Sequence, residues 1–396
     1  MFISKKAKEI SPSPTLAIDA KFKEMQLNGI PVIGFGTGEP DFDTPANIKG
    51  AAIGAIQSGV TKYTPASGTV ALKKAICNKL KRDNGLDYAP SDIVVSNGAK
   101  HSLTNVFMAI CDEGDEVIIP APYWVSYPEM VKMAGGKSVF MPTTEADGFK
   151  FKPAELEKYI TPKTRAIILN SPSNPTGMIY NRSELEEIAK IAVKHNIYVI
   201  SDEVYEKLVY EGEHISIASL GAEIKALTIL VNGLSKTYAM TGWRIGYTAT
   251  TAALASAMGN MQSHGTSNPN SIAQAASIEA LEGDQTIIDT MKAEYVKRRD
   301  YMVRRINSID GISCITPNGA FYVMMNVKKI LGREHYGKVI NTAAELCESI
   351  LEKALVALVS SEGFGIDGYA RLSYATSMEN IQNGLDRIEE YIKGEC

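Results

Sequence analysis

Cysteine, tryptophan and histidine are scarce in this chain of 396 residues, which has five cysteines, two tryptophans and five histidines. The cysteines (Cys77, Cys111, Cys314, Cys347 and Cys396) are scattered, odd in number and never arranged as Cys-x-x-Cys. That spacing excludes a zinc knuckle and predicts reduced thiols in a cytoplasmic protein. The histidines fall into no ligand pattern such as His-Glu-x-x-His, so no metal is expected. Gly-x-Ser-x-Gly and phosphate-loop motifs are missing too. No apolar run nears the roughly 18 residues of a membrane helix, and the segment Met1–Glu9 has no long apolar core, so no signal peptide is expected. Charge of one sign does not dominate: the net value is −4 without a basic half, and no nucleic-acid partner is expected.

What is present is ample core material, 45% hydrophobic against 22% charged residues, enough for a large domain with a smaller companion. Strand-like runs lie at 93–96, 116–120, 137–141, 165–169, 198–201, 226–231 and 243–250. Helical patterns separate most of them, notably at 103–111, 126–133, 153–160 and 183–195. This alternation predicts an α/β fold with a seven-stranded sheet flanked by helices. Beyond residue 284 come a long charged helix to Ile306, short strands near 312–315, 321–327, 356–359 and 369–374, and helices at 341–353 and from Glu379. These, with an N-terminal helix over 16–27, predict a smaller α+β domain. The expected division is 46–284 for the large domain, with 1–45 and 285–396 forming the small one.

In parallel α/β sheets ligands bind beyond the carboxyl ends of the strands. Gly98, Tyr123, Asn174, Asp202 and Lys236 all fall just past such ends. Lys236 lies among small and hydroxylated residues in Asn232–Gly246, where partial desolvation lowers an amine's pKa and frees its lone pair. Arg244 adds a cation suited to phosphate. A nucleophilic lysine beside a phosphate anchor describes a site for pyridoxal 5'-phosphate (PLP). Asp202 suits the cofactor's pyridine nitrogen, or a helix N-cap; Glu203 beside it reads as a solvated or capping acid. The stretch 170–177 is a good turn. Gly34, Gly36 and Gly38 miss the dinucleotide fingerprint by one position, but they mark backbone that something approaches closely. The junction 96–103, strand to glycine to helix, suits an anion.

In this order, over about nine-tenths of the chain, the motifs resemble the class I and II aminotransferases, fold type I of the PLP enzymes, most nearly bacterial-type aspartate aminotransferases. The resemblance implies that Lys236 is the Schiff-base lysine and proton shuttle, and that Asp202 faces the pyridine nitrogen. Asn174 and Tyr205 would bond the phenolic oxygen, while Gly98, Ala99, Lys100, Ser235 and Arg244 would hold the phosphate. Gly233 stands where some relatives carry a phosphate-binding serine. Trp124 would stack on the ring, although Tyr123 serves nearly as well chemically. Arg371 would hold the substrate α-carboxylate, with Gly38 against the substrate. Ser13, Thr15 and Ser263 would line the side-chain pocket, and Lys100 would meet a distal carboxylate or serve only the phosphate. Tyr63 and Ser267 match positions that reach the neighbouring subunit's phosphate, which implies a homodimer.

The implied reaction is ping-pong transfer of an amino group between aspartate or glutamate and a 2-oxo acid. The alternatives are prephenate or aromatic substrates, a PLP lyase on the same machinery, and a non-catalytic regulator, which would require an appended DNA-binding module.

Overall fold

The computed structural model describes residues 2–36 and 38–395. Thr37, inside the glycine-rich segment, and Cys396 lie outside the described residues; the other four cysteines carry free thiols. No helix among the described residues is long and apolar enough to cross a membrane.

The seven strands are β1 (Ile93–Ser96), β2 (Glu116–Pro120), β3 (Lys137–Met141), β4 (Thr164–Asn170), β5 (Tyr198–Asp202), β6 (Thr228–Gly233) and β7 (Gly246–Ala249). Their spatial order is β1-β7-β6-β5-β4-β2-β3. Only β7 runs against its neighbours. Every residue of β1 and β6 is buried, because helices cover both faces and the strands therefore read as continuous apolar runs. On one face Leu72, Ile76 and Leu80 pack with Val95 and Leu230. Elsewhere Leu103 and Phe107 meet Val117 and Ile119, and Leu185 and Ile188 meet Leu169 and Val199.

Two strand expectations need correction. Ala226 and Leu227 end a helix, Ala222–Leu227, and β6 starts at Thr228. No glycine or proline separates Ala226 and Leu227 from the strand, so a short run cannot reveal where one element becomes the other. The expected strand over 243–250 shrinks to Gly246–Ala249, because Thr241–Trp243 is a 3-10 turn and Arg244 takes a left-handed φ of 58°.

A second, antiparallel sheet has the order β9-β10-β8, with β8 (Tyr322–Asn326), β9 (Val359–Ser360) and β10 (Tyr369–Ser373). The expected strand at 312–315 is reduced to one bridge, Ser313 with Asn326. A hairpin joining Arg333–His335 to Lys338–Ile340 was not anticipated. Ile33–Gly34 pairs in parallel with Val356–Ala357, which ties the N-terminal segment to the C-terminal part. Phe35 is fully buried in the same cluster as Ile306, Val323, Leu372 and Leu385, a burial worth roughly 1.5–3 kcal/mol.

Candidate active site

The carboxyl ends of β1, β2, β4, β5 and β6 open onto one cavity of about 390 Å³, which the second sheet and the N-terminal segment close from the other side. Lys236 enters it three residues after Gly233, the last residue of β6 paired with β7. The amine is half-buried, donates to the Gly38 carbonyl, and stands 5.8 Å from the centre of the Phe321 ring. Burial lowers its pKa to about 8; Arg244 and Arg371 act the same way, against Glu39 and Asp202.

Asp202 ends β5 and is buried. Burial pushes its carboxyl up to about 6, opposed by the hydroxyl of Tyr127, which donates to Oδ2 at 2.6 Å. The bond it accepts from the Val204 N–H is long, 3.4 Å, so N-capping is the lesser part of its contacts. Glu203 is not the solvated acid expected: it is buried and bonded to Ser201, Ser216 and His214. With Glu206 and His214 it gathers ligand atoms within 4.8 Å of one another. The Lys79 ammonium, bonded to Glu206, already supplies a cation there.

The junction after β1 is built by glycines. Gly98 has a φ of 87°, and a Cβ on it would lie 2.2 Å from Nη2 of Arg244. A Cβ on Gly246 would lie 2.2 Å from the Ala99 nitrogen. The two glycines therefore let β7 and Arg244 close on the start of the helix Ala99–Ile110. The Ala99 and Lys100 N–H groups make no hydrogen bond among the described residues, and such free first-turn donors suit an anion. Ser235 and Arg244 also line the cavity. Arg244 is held by its bonds to the carbonyls of Thr241 (2.8 Å) and Asn97 (3.3 Å).

Arg371 on β10 is buried, and no carboxylate pairs with it among the described residues. Nη1 donates to Oδ1 of Asn174 and Nη2 to the Gly36 carbonyl, both at 2.9 Å; Nε has no partner among the described residues. An uncompensated buried guanidinium is a receptor for an anion. Because Asn174 accepts through Oδ1, its Nδ2 donors stay uncommitted beside the cavity. Trp124 packs edge-on against Tyr127, and the Lys100 ammonium sits 5.1 Å from its ring centre. Partial burial and Arg244 lower the Lys100 pKa. The hydroxyls of Ser13 and Thr15 lie 3.0 Å apart on the wall formed by the N-terminal segment.

Of the residues expected at the site, Gly38, Ala99, Lys100, Trp124, Asn174 and Asp202 line this cavity, as do Tyr205, Ser235, Lys236, Arg244 and Arg371. Gly98 lies directly behind Arg244. Tyr63, Ser263 and Ser267 are exposed and line no part of it. Sequence reasoning missed Tyr127, Tyr322, Lys23, Glu39 and Thr241, which also line the cavity. Tyr127 had a signal, standing one helical turn after Trp124. Glu39, bonded to the Thr241 hydroxyl at 2.7 Å, had only its place beside Gly38.

Comparison with known proteins agrees with this geometry. The sequence matches the family described as aminotransferase class I and II over residues 30–388. The aspartate aminotransferase of Bacillus sp. (strain YM-2) is 48% identical over 392 residues, 99% of each chain. An aspartate/prephenate aminotransferase of Nitrosomonas europaea is 46% identical, covering 98% of this chain and 99% of its own. Among solved structures, the aspartate aminotransferase of Rhizobium meliloti superposes with a TM-score of 0.96 at 42% identity, over 99% of both chains. That of Thermus thermophilus with maleate has a TM-score of 0.94 at 40% identity, over 99% of this chain and all of the other. With its lysine, buried aspartate and buried arginine converging on one cavity, the chain belongs to the class I and II aminotransferases, PLP-dependent enzymes that move amino groups between amino acids and 2-oxo acids.

Proposed function

We propose that this enzyme transfers amino groups between aspartate or glutamate and 2-oxo acids, with PLP carried on Lys236. The observation behind this reading is the convergence of Lys236, Asp202 and Arg371 on one cavity. The residues suit the cofactor. Orphan N–H groups at Ala99 and Lys100, with Ser235 and Arg244, offer a phosphate cradle with no room for a Cβ at Gly98. PLP, when bound, supplies the electron sink for a carbanion at the substrate Cα. Asp202, buried in the cavity wall, would face the ring nitrogen and keep it protonated. Asn174 and Tyr205 would donate to the phenolic oxygen, and Trp124 would cover a ring face. Arg371 binds the α-carboxylate, and Lys236 moves the Cα proton with an amine tuned near neutrality.

Substrate choice rests on Lys100, whose ammonium lies over Trp124 in the cavity that Ser13 and Thr15 also line. The relative named for both aspartate and prephenate makes prephenate the second substrate to test. We further propose a cytoplasmic homodimer in which Tyr63, Ser263 and Ser267 complete the partner's site; Tyr63 is 88% exposed, against the habit of large aromatics. The division at 46–284, with 1–45 and 285–396 as the second domain, is supported by separate apolar clusters on the two sheets. The test is a comparison of kcat/KM for aspartate, glutamate, phenylalanine and, as acceptor, prephenate. Acidic substrates leading by about a hundredfold is the expected result; an aromatic or prephenate preference overturns it.

A further inference from the structure

Tyr322 is fully buried among aromatic residues and yet lines the cavity. Its hydroxyl shares a hydrogen bond with that of Tyr205, 2.9 Å away. Its ring centre lies 4.4 Å from the guanidinium carbon of Arg371, with Phe364 holding the same group at 5.0 Å. The placement follows from register. Arg371 pairs with Met324 and Ser373 with Tyr322, so Tyr322 is the diagonal neighbour of Arg371 on one face of the sheet. A Cβ on Gly38 would come within 3.2 Å of the Tyr322 hydroxyl, so the glycine lets the strand and the Lys236-binding loop approach.

Each phenol has one proton. If Tyr205 spends its proton on the cofactor's phenolic oxygen, the shared hydrogen bond needs Tyr322 as donor. We propose that Tyr322 is a positioning residue joining the two ends of the site: its hydroxyl donates to Tyr205 and aims the Tyr205 proton into the cavity, while its ring carries the Arg371 guanidinium. This rests on the PLP reading above. Burial keeps both phenols far from ionisation, so each stays a donor across the working pH range. A donor that itself accepts a hydrogen bond is a stronger donor. The two halves of the role separate by substitution, since Tyr322→Phe removes the hydroxyl and keeps the ring, whereas Tyr322→Leu removes both.

The test uses PLP-loaded enzyme and two readouts besides activity: the pH midpoint of the cofactor's visible absorbance, and the affinity for succinate, an unreactive dicarboxylate, measured below that midpoint. Donors to the phenolic oxygen stabilise its negative charge and hold the midpoint down. Tyr322→Phe is expected to raise the midpoint by about one pH unit, the size of one lost hydrogen bond, in the same direction as Tyr205→Phe. Succinate affinity should stay within about twofold of wild type. Tyr322→Leu should raise the midpoint similarly and weaken succinate about tenfold, because a cation–π contact in a desolvated site is lost. A midpoint unmoved in Tyr322→Phe but raised in Tyr205→Phe overturns the relay. Undiminished succinate binding by Tyr322→Leu overturns the platform. Wild-type protein that takes up no PLP overturns the parent reading, and this one with it, before any variant is compared.

Discussion

The Tyr127 hydroxyl donates to Oδ2 of Asp202 across 2.6 Å, and both side chains are buried. This bond favours the ionised carboxylate, but burial outweighs it and the carboxyl still stands at about 6. A folded pKa above the ordinary 3.8 means that the cofactor-free protein loses stability as pH rises through about 6. Tyr127→Phe removes the compensating bond. The variant should lose about 1.5–3 kcal/mol near pH 8, where Asp202 is ionised, and clearly less near pH 5. Urea denaturation of the cofactor-free protein at both pH values measures this. An equal loss at both would mean that the bond serves packing alone.

Burial brings the Lys236 amine in the cavity to about 8. Since the neutral amine is the nucleophile, the rate of PLP uptake by cofactor-free protein should climb to about pH 8 and level off above it. Borohydride reduction should fix the cofactor to the peptide containing Lys236. Label recovered on Lys100, or a rate still climbing tenfold per pH unit above 9, would contradict the assignment.

Lys100 and Arg371 should fail in different ways. A buried charge-assisted contact is worth roughly 2–3 kcal/mol, about a hundredfold in efficiency. Lys100→Ala should show that loss with aspartate and little of it with alanine or phenylalanine. Arg371→Lys, which breaks the fork held by Asn174 and Gly36, should depress all amino acids by similar factors. A uniform loss in Lys100→Ala would assign that lysine to the phosphate instead.

His214 tests the buried network behind Asp202. Burial alone would lower its pKa, but the Glu203 carboxylate overrides burial and raises it. The pair therefore adds stability that is complete below the unfolded pKa of about 6.5 and disappears as pH rises through the folded value. His214→Gln should destabilise the protein more near pH 6 than near pH 9, by thermal melting. A larger effect at the higher pH would reverse the sign of this account.

Much of this was legible in the chain because most strands of the central sheet are short buried runs, and several lead into a residue with chemistry to do. Asp202 after β5 and Lys236 after β6 announce themselves that way. The boundary at Thr228 did not, since no glycine or proline separates Ala226 and Leu227 from the strand. Tyr322 was also hidden: within Phe321–Val327 it looks like core, and only the register against β10 brings it under Arg371. The roles of Tyr63, Ser263 and Ser267 came from resemblance; on a single chain they remain surface residues. Glu203 misled because acids are rarely buried unless paired, and its partner His214 lies eleven residues away.

The central claim is that the protein stores an amino group and gives it back. PLP-loaded enzyme mixed with aspartate alone, without an acceptor, should release oxaloacetate in an amount equal to its active sites and then stop. Adding 2-oxoglutarate should return the stored nitrogen as glutamate in the same amount. Continued turnover on aspartate alone, with free ammonia or carbon dioxide as product, would contradict the account.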